Sequence, residues 1–570
     1  MRMCTLFLFY ILCFFGLFPA LMAQDVESYA GDAPTSFQTR VHHSSGASPQ
    51  EVFQQSPSSE FRSTGGVGKV QTYSVRGSSS KDVAVSLEGI PLNLPSQGYF
   101  NFGDLSLFGL GDIQIIRGGY SPFSSDPQAQ VRLRLPRHAS LQSQLSIGSL
   151  GYESFNQLSP NGSFSFNHGT NDFLYDTGAG YAHRQHNESI NLNLRLWFRK
   201  ASYQIWTQLI DSSQEIPKDL SYSSSTESEL ETLRPLIAFQ GELHHWQYAF
   251  WMSFQNEAYS DSSSHSESNS YSSGERIERN KSLMPSLSWK NSLEFQQDHL
   301  STESYSTSLQ NTVSLSSSVL WAATKNNLLH PRLRIEFISD LDQALSAHPG
   351  MGGRHLLTKD LSVLWNAALI SRAPTLVERF YKTNSISPNP QLKRQNSWQA
   401  DAGYEWNKKD RGFHWTQSFF VDRTTDLIEF DNSAKTSING GNALTYGVEN
   451  ELNWEACSFF SLKAQYSYMI PMQGDNDQMY QARHQFNAIP HFFPGHFVQI
   501  SLPLMLRSKM RTYSSGIPKQ IDLGASLSSR WKNFQMSLRL FNLLGWRRQD
   551  VEGFPLPQQT WFRFSLSHFF

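Results

Sequence analysis

From about residue 139 to its last residue the chain keeps returning to a two-residue period, in which apolar and polar side chains alternate between clusters of Ser, Asn, Gly and Asp. In SINLNLRLWF, Ile190, Leu192, Leu194 and Leu196 share one face, and Asn191, Asn193 and Arg195 share the other. In HWQYAFWMSF the apolar face is Trp246, Tyr248, Phe250, Met252 and Phe254, and Met536, Leu538 and Leu540 repeat the pattern further on. Such a period belongs to strands with two unlike sides. A soluble sandwich alternates as well, so other features must say what the apolar side meets.

The first residues supply one of them. Met1 and Arg2 stand ahead of CTLFLFYILCFFGLFPALMA, which ends in the small residue Ala23 and is followed by the polar QDVES. This predicts a secretory signal over residues 1–23, with a transmembrane anchor as the alternative. Beyond it no apolar run approaches the ~20 residues that a membrane helix needs, yet 13% of the residues are aromatic. A sheet placed in lipid must close so that no backbone group is left unpaired. Such barrels carry aromatic girdles, tight turns at one rim and long polar loops at the other. The Ser-rich run Ser260 to Ser282 suits one of those long external loops, with a disordered linker as the alternative. If each strand spans ~10 residues, the region 139–570 admits about 22 strands, and 16 to 20 with longer loops fit as well.

Several classes are excluded. Net charge is −2, 17% of residues are charged, and no basic stripe stands out, so no nucleic-acid partner is expected. Cys4 and Cys13 fall within the signal, which leaves Cys457 alone and no disulfide framework. The 18 histidines are scattered, and there is no P-loop or nucleophile elbow. No catalytic residues, metal site or cofactor are expected, and the chain is not read as an enzyme.

Ahead of the barrel, VQTYSVRGSSSKDVAVSLEGIPLN and FGDLSLFGLGDIQIIRGGYSPFSS each carry a short strand ending in Arg-Gly. Together with SPQEVFQQSP, Ser48 to Pro57, they resemble the plug of TonB-dependent outer-membrane receptors. In the barrel, SRAPTLVERFYKTNSISPNPQLKRQNSWQADAGYEW, DLIEFDNSAKTSINGGNALTYGVENELNW and RLFNLLGWRRQD are similar to strands and a turn of the same family, in the family's order. The terminal TWFRFSLSHFF resembles the end by which barrel-assembly machinery recognises outer-membrane proteins.

The resemblance implies an all-β fold: a lumenal plug over residues 24–138 and a transmembrane antiparallel β-barrel over residues 139–570. It places the chain as a monomer in the outer-membrane lipid of a Gram-negative bacterium. It also implies that plug arginines Arg76 and Arg117 meet barrel acids, at Asp401 and Glu449. Alternation agrees, since Trp398, Ala400, Ala402 and Tyr404 facing lipid put Asp401 toward the lumen. Tyr99 and Phe100, in NLPSQGYFNFGD, are candidate ligand contacts at the plug apex, with packing against the barrel wall as the alternative.

The implied function is TonB-coupled import of a scarce bulky solute: a siderophore or other metal chelate, cobalamin or an oligosaccharide. Three departures bear on it. The mature N-terminus holds no clear copy of the hydrophobic segment that adds as a strand to TonB; Phe37, Gln38, Thr39, Arg40 and Val41 are the candidate. The plug is short before Ser48, by as much as one strand. FSSDPQAQVRLRL, Phe123 to Leu135, lacks the family's glycine pair. The alternative is therefore an uncoupled receptor acting as a structural or surface-interaction protein.

Overall fold

A computed structural model describes residues 35–41, 47–64, 70–93, 98–118, 129–136, 140–169, 175–176, 181–182, 187–198, 203–216, 228–262, 265–302, 305–382, 386–495 and 497–570. The expected signal, residues 1–23, lies outside the described residues.

The two-residue period forms strands, and the strands close. Twenty-two antiparallel strands make one barrel. Its last strand, Trp561–Phe569, pairs back onto its first, Gln142–Gly148, with Phe564 opposite Ile147 and Leu566 opposite Leu145. Two strands are each built of two pieces, Val498–Ser501 with Leu504–Arg507 and Gln520–Leu523 with Ala525–Trp531. The breaks fall at Pro503, which has no N–H for the ladder, and at Gly524, where a Cβ would lie 3.2 Å from the Pro503 ring.

The two faces are reversed relative to a soluble sandwich. Leu194, Leu196, Phe250, Met252, Trp398 and Tyr404 are exposed on the outside, whereas Asn191, Asn193, Gln399 and Asp401 are buried inside. The apolar side meets lipid, and the polar side packs on what fills the lumen. No helix among the described residues is long and apolar enough to cross a membrane.

The rims differ as well. At one rim two-residue turns join Ser228–Leu243 to Trp246–Asp261, His265–Met284 to Leu287–Thr302 and Ala443–Cys457 to Phe460–Gln473. At the other, residues 373–394, 426–442 and 542–560 form long connections. The expected external loop Ser260 to Ser282 is corrected here. Most of it is strand, His265–Met284, laddered to Trp246–Asp261 on one side and Leu287–Thr302 on the other. Ser, Asn and Glu are poor strand formers alone, but residues 268–279 are laddered on both sides, and tertiary pairing overrides the composition.

The lumen holds the plug. Its sheet is β1 (Gln38–Val41), β4 (Val83–Leu87), β5 (Ile90–Pro91), β6 (Ile113–Arg117) and β7 (Ala129–Leu133), in the order β1-β6-β7-β4-β5. Only the β4–β7 pair is parallel. A separate hairpin pairs β2 (Ser59–Ser63) with β3 (Gln71–Val75). Between β1 and β2 lies the short helix α1 (Pro49–Phe53), started by a capping box in which Ser48 and Glu51 exchange hydrogen bonds at 3.3 and 2.7 Å. Among the described residues before Ser48 there is one strand, β1, and β7 forms without the family's glycine pair.

The plug core is apolar and aromatic. Val52, Phe53, Phe61, Tyr73, Val85, Ile113 and Val131 are all buried. The Phe53 ring lies edge-on to Phe102 with centroids 4.5 Å apart.

Candidate functional site: the plug latch and the chamber above it

Strands β3 and β6 each run out of the plug core into an Arg-Gly pair. Arg76 takes the left-handed conformation at φ 52°, and Gly77 and Gly118 both lie at φ 79°. The glycines are required twice over. Positive φ resists a side chain, and there is no space for one. A Cβ on Gly118 would stand 2.6 Å from Asp401 Oδ2, and one on Gly77 would stand 2.9 Å from Thr445 Oγ1 and from Gln478 Oε1.

The two turns deliver their arginines to one barrel carboxylate. Arg76 donates from Nε and Nη2 to the two oxygens of Glu449, each at 2.9 Å, and from Nη1 to Asp401 Oδ2 at 3.2 Å. Arg117 Nε lies 3.1 Å from Glu449 Oε2. Burial works against the Arg76 charge, but Glu449, aided by Asp401, outweighs it and holds the guanidinium above its ordinary pKa. The Arg76 and Glu449 side chains are each 1% exposed, so breaking this pair would strand a charge in a dry site. Phe420 places its ring 4.4 Å from the Arg76 guanidinium. Ser418 Oγ donates to Glu449 Oε2 at 2.9 Å.

All four expected latch residues therefore meet near the middle of the lumen. Sequence reasoning missed Glu451, whose carboxylate is 3.6 Å from Arg117 and accepts from Thr39 Oγ1 at 2.6 Å. The signal was present in GVENE, since Glu451 is two residues beyond Glu449 and a strand repeats its facing every second residue. Further anchors gave no such signal. Asp82 of the plug meets barrel Arg372 at 2.9 Å, and Glu60 meets Arg507 at 3.1 Å.

Above the latch, on the long-loop side, opens a chamber of about 990 Å³. Its floor is the plug turn Arg76 to Ser79, and its walls include Asp422, Glu429, Phe430, Tyr480 and Tyr513. Neither apex candidate lines it. Phe100 is 2% exposed, packed 5.1 Å from the Phe102 ring and 5.4 Å from the Arg234 guanidinium. It is a packing residue, because the chain beside it turns inward to the plug core. Tyr99 is half-buried, and burial pushes its phenol above the ordinary value.

The candidate coupling segment is also placed. Gln38 to Val41 form β1, antiparallel to β6 with Gln38 opposite Ile116 and Val41 opposite Ile113. Phe37 and Val41 are buried, and Arg40 is exposed. Arg117 Nη1 donates to Thr39 Oγ1 at 2.6 Å, which ties this strand to the latch. Among the described residues no group of three or more His, Cys, Asp or Glu is placed to hold a metal ion.

A plug latched inside a closed 22-stranded barrel is the architecture of a plugged transmembrane β-barrel. The sequence places it more narrowly: residues 92–543 match the family "TonB dependent receptor-like, beta-barrel", and residues 36–128 match "TonB-dependent Receptor Plug Domain". The chain belongs to the TonB-dependent receptors, an outer-membrane family of Gram-negative bacteria whose members are receptors and transporters. Among curated proteins none matches it.

Solved structures with the same fold include the siderophore receptor PirA from Acinetobacter baumannii, with 11% identity, TM-score 0.75, and 96% of this chain and 99% of that one covered. A ferric enterobactin receptor (PfeA) mutant from Pseudomonas aeruginosa aligns at 13% identity and TM-score 0.72, covering 96% and 100%. The FrpB iron transporter from Neisseria meningitidis aligns at 12% identity and TM-score 0.77, covering 95% and 100%.

Proposed function

We propose that the protein captures a scarce bulky solute in the chamber on its outer side and passes it inward when TonB draws on the plug. The solute class is a siderophore or other metal chelate, a cobalamin or an oligosaccharide. The observation that carries this reading is the stacking of a chamber of about 990 Å³ directly on the buried Arg76–Glu449 latch. A cavity of that volume suits a ligand of several hundred daltons, and its floor is the part of the plug that must move for anything to pass. Likeness to receptors described as taking siderophores and iron agrees with a metal chelate.

A second reading, a receptor no longer coupled to TonB and serving as a structural or surface-interaction protein, is favoured by one observation. The coupling candidate is bonded into the plug sheet as β1, so its backbone is committed unless the strand detaches.

One experiment separates the readings. A peptide of residues 24–47 is titrated with the periplasmic domain of the host's TonB, and the same peptide lacking residues 37–41 serves as the control. Binding that is lost with the deletion supports coupling through this strand, which then has to leave β6. Binding that survives moves the coupling segment out of residues 37–41, into 24–36 or 42–47. No binding by either peptide overturns coupled import in favour of the second reading.

A further inference from the structure

Asp422 stands apart from the other acids of the lumen. Its side chain faces inward from the strand Phe413–Thr425, lines the chamber and is 4% exposed. Among the described residues it is the one buried carboxylate with no hydrogen-bond partner on either oxygen. The chamber's other carboxylates are matched. Asp82 is held by Arg372, Glu378 by Arg372 and Lys81, Glu429 by Gln473, and Asp431 by two backbone N–H groups. The nearest cation to affect Asp422, Arg76, is committed to Glu449 and Asp401.

Directly across the ladder from Asp422 is Gln399, also buried, with both amide atoms unpartnered. Together they form a desolvated polar patch that holds one carboxylate and one amide. Arg76 and Arg117 are already set against Asp401, Glu449 and Glu451, and among the described residues no cation is in salt-bridge contact with Asp422. A carboxyl buried in that state either keeps a proton or is matched by a cation, and a cation brought by a solute would draw the proton off. The absence of a three-ligand metal group among the described residues favours an organic one.

We propose that Asp422 is the chamber's receptor for a cationic nitrogen group of the solute, a primary ammonium or a guanidinium, with Gln399 Oε1 as a further acceptor. Occupation of Asp422 would also bear on the latch. Asp422 attracts Arg76, and Phe420, two residues away on the same inward face, carries the ring against that guanidinium. A cation seated on Asp422 cancels this attraction and weakens the hold of the barrel on the plug, which makes solute occupancy and latch release reciprocal.

The inference rests on the chamber being the solute site, and its test keeps the two claims apart. The intact receptor in detergent is titrated with ferric catecholate, ferric hydroxamate and cobalamin probes, including a linear ferric trishydroxamate that ends in a primary ammonium and the same chelate N-acetylated. The expected result is about tenfold to a hundredfold tighter binding of the ammonium form, the worth of one charge-assisted hydrogen-bond set, with the preference lost in Asp422→Asn. Faster hydrogen exchange at the Arg76 amide when the ammonium form is bound is the second expected signal. Equal binding of the paired chelates, or a preference that survives Asp422→Asn, overturns the assignment and leaves the chamber reading intact. Failure of every probe to bind overturns both.

Discussion

Replacing Glu449 by Ala removes the one carboxylate that both plug arginines share. The substitution deletes two 2.9 Å hydrogen bonds from Arg76 and the 3.1 Å contact of Arg117. The one cation left to Asp401 is then Arg76, through Nη1, and the one carboxylate left to Arg117 is Glu451 at 3.6 Å. Breaking a buried ion pair by removing one partner costs about 3–5 kcal/mol, and the loss falls on plug docking, since the barrel ladder itself is untouched. About 4 kcal/mol corresponds to nearly a thousandfold change in an opening equilibrium.

Native-state hydrogen exchange reads that equilibrium at amides whose bonds belong to the latch turns. Arg76 N donates to Ser58 O at 2.7 Å, Ser78 N to Val75 O at 3.0 Å and Arg117 N to Phe37 O at 3.1 Å. In Glu449→Ala their protection should fall by about two to three orders of magnitude, while amides of the barrel strand Trp246–Asp261 keep theirs. Protection at Arg76 and Arg117 within threefold of wild type would refute the view that this carboxylate holds the plug.

Gly118→Ala should destabilise plug docking by about 1–3 kcal/mol, because a Cβ there meets Asp401 Oδ2 at 2.6 Å from a backbone at φ 79°; exchange at Arg117 is the readout, and unchanged rates would count against it. Asp104, in the plug, accepts from Ser212 and Gln214, and burial lifts its carboxyl to about 6. The folded plug therefore binds more protons than the unfolded chain between pH ~4 and ~6, so this group's contribution is full below pH ~4 and is lost as pH rises through 6, by about 2–3 kcal/mol. Urea titrations of wild type and Asp104→Asn should differ by that much more at one end of this range than at the other, and a constant difference would exclude the group. Phe419 is exposed on the outer face in mid-strand, and Phe419→Arg should cost about 2–4 kcal/mol when the protein folds into phospholipid vesicles; a cost under ~1 kcal/mol would mean that this face is not in hydrocarbon.

Much of this was legible in the chain. Period-two alternation in SINLNLRLWF and HWQYAFWMSF assigned each side chain to a face, because a strand allows only two. The expected export signal, with no apolar run of helical length after it, left a closed sheet as the form that satisfies backbone groups in lipid. The paired Arg-Gly turns, read with the family's pattern, brought Arg76, Arg117, Asp401 and Glu449 into one site.

The rest depended on which strands came to lie side by side. Ser260 to Ser282 reads as loop, yet its neighbours make most of it strand, since cross-strand bonds outweigh local preference. Phe100 looks available in NLPSQGYFNFGD but turns inward, and Phe37 to Val41 look free but pair with β6. Nothing in FFVDRTTD distinguishes Asp422 from any other inward acid. Its isolation comes from what stands around it after closure: Arg76 turned to Glu449, Gln399 opposite and the chamber in front. Face is a local property of a strand and is written into the sequence, whereas partnership joins residues hundreds of positions apart and exists only once the barrel has closed around its plug.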